Sequence, residues 1–252
     1  MKLSDSFKVV FGFLFVLLIA VISGIYHIDF NKYLKGANKV ITSDNSTTKK
    51  IEVKLASCID GDTAKFIEDG YTYTYRFLGI NTPEINPEVE KYGKDARDYT
   101  CKKLKGAEKI QISYENTSAK QDKYKRHLVW VYVDDELLQE LLIKNGFAKV
   151  EYVYANLTYL DKLYKIEKEA IDNRINLYSD YKEKKYKNKK YTVIFKNIKI
   201  LDEVVVNNGS RVSIITDPKS KGKEFVGWTL DGKLYDLSKP ITSDLILEAK
   251  FE

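Results

Sequence analysis

The chain has 252 residues, which is long for one domain and comfortable for two. Its apolar content of 44% supports globular cores, and its charged content of 31% supports a soluble surface. The net charge of +6 arises in residues 1–50 and 182–190, whereas residues 51–181 carry 20 basic against 23 acidic side chains. The charge balance therefore excludes overall basicity as evidence for a polyanionic substrate.

The N-terminal residues contain a predicted membrane anchor. Lys2 and Lys8 precede an uncharged apolar run of 18 residues at positions 9–26, near the lower length for a helix that crosses ~30 Å of hydrocarbon. The small residues in this run make poor cleavage sites. We therefore expect residues 1–28 to form an uncleaved transmembrane signal anchor, with the lysines inside and the remainder exported.

Two alternatives to an uncleaved anchor stay open. Cleavage would release a secreted protein, and a buried core helix would need an apolar partner that the rest of the sequence does not provide. The polar residues 29–50 show no sustained apolar period and are predicted to form a tether.

The next segment alternates between apolar and polar residues in the manner of strands. Residues 51–55 and 71–77 both have period-2 patterns, and Asp69-Gly70 predicts a hairpin before the second of them. Residues 92–104 have helical spacing and end before Gly106, and residues 109–114 alternate again. A strand meander interrupted by a helix fits a small barrel better than a doubly wound sheet.

The segment from Asp60 to Glu84 brings acids and an arginine together at predicted strand ends. Asp62, the amide oxygen of Asn81 and the carbonyl of Thr82 would suit Ca²⁺, which takes oxygen ligands. Arg76 would neutralise charge on a phosphate, because guanidinium is planar, bidentate and always charged. Glu84 would then orient or deprotonate a water. The alternative is a hairpin turn flanked by solvated surface charges.

Residues 122–127 form a charged turn that leads into a predicted strand at 128–133. Arg126, just before the start of this strand, could bind a phosphate, and Tyr124 beside it could stack on a base. A solvated hairpin is the alternative. Asp134-Asp135 then predicts the start of a second helix, since short acids cap exposed N–H groups.

Tyr152 and Tyr154 lie in an alternating stretch, residues 150–154, which would aim both rings to one side of a strand. Such a face suits a nucleotide pocket, although a tyrosine-rich surface is the alternative. Residues 157–177 predict a third, amphipathic helix. Cys58 and Cys101 are the only cysteines, and their pairing cannot be assigned from the sequence.

A basic run at residues 182–190 is predicted to be an extended linker that separates two units. The run could also bind anionic polymers. Residues 191–252 return to a strand pattern, with strands predicted at 191–195, 203–206, 211–215 and 245–251. The residues alone indicate a small β-rich module.

Six motifs of residues 51–181 recur in the order and near spacing of the staphylococcal nuclease (thermonuclease) family. They are Asp60-Gly61-Asp62-Thr63, Arg76, Thr82-Pro83-Glu84, Glu90-Lys91-Tyr92-Gly93, and residues 122–126 and 149–154. The resemblance implies a five-stranded β-barrel of the OB-fold class with three helices (α+β). It also implies a calcium-dependent endonuclease that acts on DNA and RNA and leaves 3′-phosphate ends.

The resemblance also implies roles for single residues. It makes Asp62 a calcium ligand and predicts three catalytic residues, the phosphate-binding arginines Arg76 and Arg126 and the general base Glu84. The nucleotide pocket would be lined by Lys123, Tyr124, Tyr152 and Tyr154. Asn81 departs from the family pattern, where an aspartate is expected, so we expect weaker metal binding.

Residues 191–252 resemble a single Listeria–Bacteroides (internalin B-type) repeat, which is a β-grasp-like extracellular module. The likeness rests on Asn208-Gly209, Gly227-Trp228, Asp231-Gly232-Lys233, Tyr235-Asp236 and the closing strand. It implies spacing or adhesion at a bacterial surface, with a cell-surface polymer as a possible partner.

Three functional hypotheses follow from the sequence. The first is a membrane-tethered, outward-facing calcium-dependent nuclease. The second is a nucleic-acid-binding module that has lost efficient cleavage, because Asn81 removes one charge from the metal site. The third is a surface adhesin in which the C-terminal repeat is the active part.

Overall fold

The computed structural model describes residues 47–252 except 117, 183, 186 and 214. Its first part, up to residue 181, contains eight strands and three α-helices in these residues. The strands are β1 Ile51–Cys58, β2 Thr63–Glu68, β3 Tyr71–Phe77, β4 Ile80–Asn81, β5 Ile110–Ser113, β6 His127–Val133, β7 Glu136–Leu137 and β8 Lys149–Val150. The helices are α1 Gly93–Gly106, α2 Leu138–Lys144 and α3 Leu160–Asp172, and a 3₁₀ turn follows at Asn176–Tyr178.

Five of these strands close into a barrel. The order β3-β2-β1-β5-β6 is antiparallel throughout, and a parallel pairing of β3 with β6 closes it. Inward-facing side chains such as Phe66, Tyr75, Phe77 and Ile112 are almost fully buried, as alternation along each strand requires. The closed barrel with three helices confirms the OB-fold prediction.

The start of the second helix differs from the prediction. Asp134 and Asp135 both have positive φ, 49° and 69°, so they form a tight hairpin turn between β6 and β7 rather than a helix cap. The helix α2 begins only at Leu138. The short acids tolerate the left-handed backbone that a two-residue hairpin needs.

Helix α1 is attached to the barrel beside the turn that ends β1. Cys58 and Cys101 form a disulfide with their Cα atoms 5.8 Å apart. The hydroxyl of Thr100, on the preceding residue of the helix, donates to the carbonyl oxygen of Gly61 at 2.6 Å. These two connections place the acids of the Asp60-Gly61-Asp62 turn against a helix.

The C-terminal part forms its own five-stranded sheet in the order β10-β9-β13-β11-β12. Its strands are β9 Lys190–Asn197, β10 Lys199–Asn207, β11 Phe225–Leu230, β12 Lys233–Leu234 and β13 Leu245–Phe251. The buried Trp228 packs edge-on against Phe195 and Phe225 in its core. The predicted strand at 211–215 is wrong, because the described residues of this stretch are not paired in the sheet.

The C-terminal part is in direct contact with the first part, as the hydrogen bond from the Trp228 N–H to the Tyr154 carbonyl oxygen shows, and the described residues from 47 onwards belong to one compact unit. The guanidinium of Arg211, in the C-terminal part, also pairs with Glu167 of α3 at 2.8 Å. The exact domain boundaries stay predictions. No helix within the described residues is long and apolar enough to span a membrane, and the predicted anchor lies outside those residues.

Candidate active site

A buried ion pair between Asp62 and Arg76 lies at the centre of the site. Thr63 and Arg76 are partners in the β2–β3 register, so the residue just before β2 meets the end of β3. The guanidinium Nη2 of Arg76 lies 3.1 Å from Oδ2 of Asp62. Its Nη1 donates to the carbonyl oxygens of Phe77 and Ile80, both at 2.8 Å. The arginine is therefore fixed on several sides before any ligand arrives.

Thr82 and Asn81 complete this hydrogen-bond network. The backbone N–H and hydroxyl of Thr82 donate to Asp62 Oδ2 at 2.8 and 3.1 Å. The amide oxygen of Asn81 accepts from Arg76 at 3.0 Å, and its amide nitrogen donates to Glu151 at 3.0 Å. Asn81 thus connects the arginine to β8 and the segment after it.

Asp60 and Glu84 form a pair of carboxyl groups beside this network. Burial, a hydrogen bond with Asp60 and the charges of Asp60 and Asp62 raise the pKa of Glu84 to about 7, while Arg76 lowers it. Burial also raises the pKa of Asp60, and the charge of Asp62 adds to this, although a hydrogen bond from the Gly61 N–H opposes it. Three acids therefore share the charge of one arginine.

The acidic turn lies tightly against Thr82. A Cβ atom added at Gly61 would come within 2.7 Å of Thr82 Oγ1, so only glycine allows this approach. The backbone N–H of Glu84 is held by the carboxylate of Glu90 at 2.9 Å. The positions of both acidic segments are thus set by local packing.

The second predicted arginine occupies a separate turn. Arg126 donates from Nε to Asp122 at 2.7 Å, and its guanidinium lies 5.5 Å from the ring of Tyr124. The ammonium of Lys123 lies 4.9 Å from the same ring, which is 68% exposed. Lys123, Tyr124 and Arg126 therefore lie together, and the guanidinium of Arg126 contacts Asp122 and Tyr124 of its own turn.

The two other predicted pocket residues lie beside Arg76. The ring of Tyr152 is 5.5 Å from the Arg76 guanidinium and 6.5 Å from the ring of Tyr154. The predicted strand at 150–154 is wrong beyond Val150, because residues 151–154 are irregular and Tyr152 has a φ of 60°. The rings are neighbours for a reason other than strand alternation.

The oxygen donors of this cluster suit a hard cation in their chemistry. Asp60, Asp62 and Glu84 place more negative charge than Arg76 balances, and this excess adds to the effect of burial in raising the pKa values of Asp60 and Glu84. Within the described residues, no three His, Cys, Asp or Glu side chains already surround a metal position. Amide and backbone oxygens would thus have to complete the coordination shell.

Comparison with known proteins agrees with this architecture. The sequence profile of the staphylococcal nuclease homologue family matches residues 74–180. The closed five-stranded barrel with three helices fits the OB-fold domain of this nuclease family.

Individual relatives extend the match. Endonuclease YncB of Bacillus subtilis is 38% identical over 154 residues, 59% of this chain and 72% of YncB. The prophage-derived endonuclease YokF of the same species is 39% identical over 133 residues, 51% of this chain but 44% of YokF. The thermonuclease of Staphylococcus hyicus is 32% identical over 130 residues, 50% of this chain and 75% of that enzyme. The chain therefore belongs to the staphylococcal nuclease family.

Two residues of the site were not assigned roles from the sequence. Asp60 was visible in the Asp60-Gly61-Asp62 turn, but its hydrogen bond with Glu84 depends on the loop that returns 24 positions later. Glu151 contacts Asn81 across 70 positions, and only its place beside two candidate tyrosines could have drawn attention to it.

The raised pKa of Glu84 predicts how the stability of the metal-free protein depends on pH. The folded protein keeps this proton up to about pH 7, whereas the unfolded chain releases it near the ordinary value of 4.5. Because the folded state binds more protons between these values, the free energy of unfolding falls as the pH rises through this window. Solvent screening of the exposed carboxyl group limits the fall to on the order of 1 kcal/mol.

Denaturant unfolding in a chelator at pH 5 and pH 8 measures this effect. Glu84→Gln should remove most of the fall, whereas the matched variant Glu88→Gln, at an exposed position in the same loop, should retain it. An equal pH dependence in wild type and Glu84→Gln would contradict the assignment.

Proposed function

We propose that the protein is a calcium-dependent endonuclease that hydrolyses phosphodiester bonds in DNA and RNA. The observation that carries this proposal is the buried Asp62–Arg76 pair with the Asp60–Glu84 pair beside it. Membership of the nuclease family supports the reaction class, and YncB and YokF are named endonucleases.

Arg76 and Glu84 carry the chemical step in this proposal. Glu84 accepts a proton from water as the water attacks phosphorus, and the bond from phosphorus to the 5′ oxygen breaks. The products are a 3′-phosphate and a 5′-hydroxyl, whose oxygen takes a proton from solvent. Arg76 faces the charge that develops on the phosphate oxygens, and its bonds to Phe77 and Ile80 hold it there in advance.

The remaining candidates bind the polynucleotide. Arg126, the second catalytic arginine, stabilises phosphate charge with Arg76 when the substrate displaces Asp122 from its guanidinium. Tyr152 and Tyr154 stack on a base next to Arg76, and Lys123 with Tyr124 contacts the chain further along. Stacking uses the face of the base and not the 2′-hydroxyl, so these contacts do not discriminate between DNA and RNA.

Calcium is the proposed metal because the available donors are oxygens. Asp62, the amide oxygen of Asn81 and the backbone carbonyl of Thr82 would hold it, and it would supply positive charge to the phosphate when bound. The Asn81 oxygen already accepts from Arg76, so we infer that this residue is a weaker ligand than a carboxylate.

Glu84→Gln tests the proposed general base. We expect the rate of DNA cleavage to fall by about 10²-fold or more at unchanged fold, since the amide cannot take the proton. Glu88→Gln is the matched control and should cleave at the wild-type rate. A Glu84→Gln variant as active as wild type would remove Glu84 from the mechanism.

We further propose that the nuclease is tethered to the cell membrane and faces outward. The support is the uncharged run at residues 9–26, which follows Lys2 and Lys8. Protease added to intact cells is expected to release or degrade the folded part while the cytoplasm stays sealed. Full protection of that part in intact cells, with digestion after lysis, would contradict an outward orientation.

The C-terminal sheet is proposed to bind a cell-surface polymer. Its likeness to the Listeria–Bacteroides repeat supports this, as do the apolar side chains on its outer face, where Val205 is 59% and Ile246 52% exposed. The full chain should co-sediment with cell walls, and Val205→Ser with Ile246→Ser should weaken the interaction. Equal sedimentation of this double variant and the wild type would exclude the face.

A further inference from the structure

The backbone of the Tyr152–Tyr154 segment is hydrogen-bonded to residues of the C-terminal part. The carboxylate of Asp236 accepts from the backbone N–H groups of Tyr152 and Val153, both at 2.9 Å. The carbonyl oxygen of Val153 accepts from Leu237 N–H at 2.8 Å. Since buried backbone groups need partners, the second sheet determines which conformation this segment can adopt.

The same contact continues past Tyr154. The carbonyl oxygen of Tyr154 accepts from the Trp228 N–H at 3.1 Å, and Asp217 accepts from the N–H of Asn156. A Cβ atom added at Gly227 would lie 2.7 Å from the Tyr154 carbonyl oxygen. The Gly-Trp pair thus allows the sheet to approach the segment closely.

The backbone at Tyr152 requires such support. Its φ of 60° is in the left-handed region, which a residue with a large side chain rarely adopts unless the surroundings hold it there. Asp236 is 5% exposed and also accepts from the Ser238 N–H and hydroxyl at 3.0 and 2.7 Å. The carboxylate is therefore itself fixed before it holds the two N–H groups.

A second connection holds the chain just before the segment, at Val150. The buried carboxylate of Glu167 accepts from the Val150 N–H at 2.8 Å and from the Tyr178 hydroxyl at 3.0 Å. Arg211 of the C-terminal part pairs with the other oxygen at 2.8 Å. A buried carboxylate needs a cation, and here the second sheet provides it.

The position of the held segment gives these contacts a functional meaning. The Tyr152 ring lies 5.5 Å from the Arg76 guanidinium and is 46% exposed. It is thus open to a ligand that approaches Arg76. A change in the backbone at Tyr152 would move the ring away from Arg76.

We propose that Asp236 is a positioning residue for substrate binding, which acts by fixing the Tyr152–Tyr154 segment beside Arg76. The C-terminal sheet is then part of the nuclease site rather than only an attachment module. This inference rests on the proposed nuclease function. The ligand class it addresses is a nucleobase of a single-stranded polynucleotide.

Kinetics on a short single-stranded DNA test the proposal in the full chain. Asp236→Ala should raise KM by roughly 10-fold, about the effect of weakening one base stack, with kcat within about 2-fold, since the acids and Arg76 are untouched. In a Tyr152→Ala background the same substitution should change KM by less than about 2-fold, because it acts through that ring.

Asp244→Ala is the matched control. Asp244 accepts from the Thr192 N–H at 2.7 Å. Its loss therefore also removes a carboxylate that accepts a backbone hydrogen bond in the C-terminal part. We expect wild-type KM for this variant. Asp236→Asn keeps the side-chain volume and one acceptor oxygen, and should lie between wild type and Asp236→Ala; it also serves if the alanine variant does not fold.

Amide hydrogen exchange provides a readout that does not need nuclease activity. Asp236→Ala should accelerate exchange at Tyr152 and Val153 while the barrel strands keep wild-type protection. Unchanged exchange at these amides, or a KM no higher than that of Asp244→Ala, would overturn the proposal. An inactive wild type with the expected exchange pattern would instead refute the nuclease function and leave Asp236 as a residue that fixes the segment.

Discussion

The buried ion pair between Asp62 and Arg76 is the interaction on which the site depends. Removing one partner from a buried pair leaves an uncompensated charge and costs about 3–5 kcal/mol. The β2–β3 register that brings the two residues together is therefore strongly favoured energetically. Asp62 also accepts a hydrogen bond from Thr82, and Arg76 donates one to Asn81. These bonds fix the loop after β4. The strand register, the position of the loop and the placement of the charges therefore all depend on this ion pair.

The same arrangement leaves an excess of negative charge. Asp60 and Glu84 lie next to a carboxylate whose charge Arg76 already balances, and the pKa of each is raised. Such a cluster is unfavourable in the free protein and becomes favourable when a cation or a protonated ligand arrives. Carboxyl groups with perturbed pKa values beside an arginine are typical of sites that cleave phosphodiesters. The described residues have this arrangement without a preformed set of three metal-ligating side chains.

Much of the first domain could be predicted because its signals are local. Period-2 alternation located β3 at residues 71–77, and the acids with Arg76 lie in one continuous segment. Asp134 and Asp135 misled the prediction, since short acids serve helix caps and left-handed hairpin turns equally well. The segment after Val150 misled it too, because its backbone partners, such as Asp236, lie 84 positions away in another sheet. Local periodicity cannot report a hydrogen-bond partner of that kind.

In this account both parts of the chain contribute to one site. The barrel part supplies the charged groups, and the C-terminal part fixes the position of the tyrosines. The most direct test of the account is cleavage of single- and double-stranded DNA by the purified full chain, with calcium titrated against a chelator. The account predicts internal cleavage that appears with millimolar calcium and disappears when the chelator is in excess. Polynucleotides that are bound but stay intact at every calcium concentration, or that are cut equally in the chelator, would contradict it.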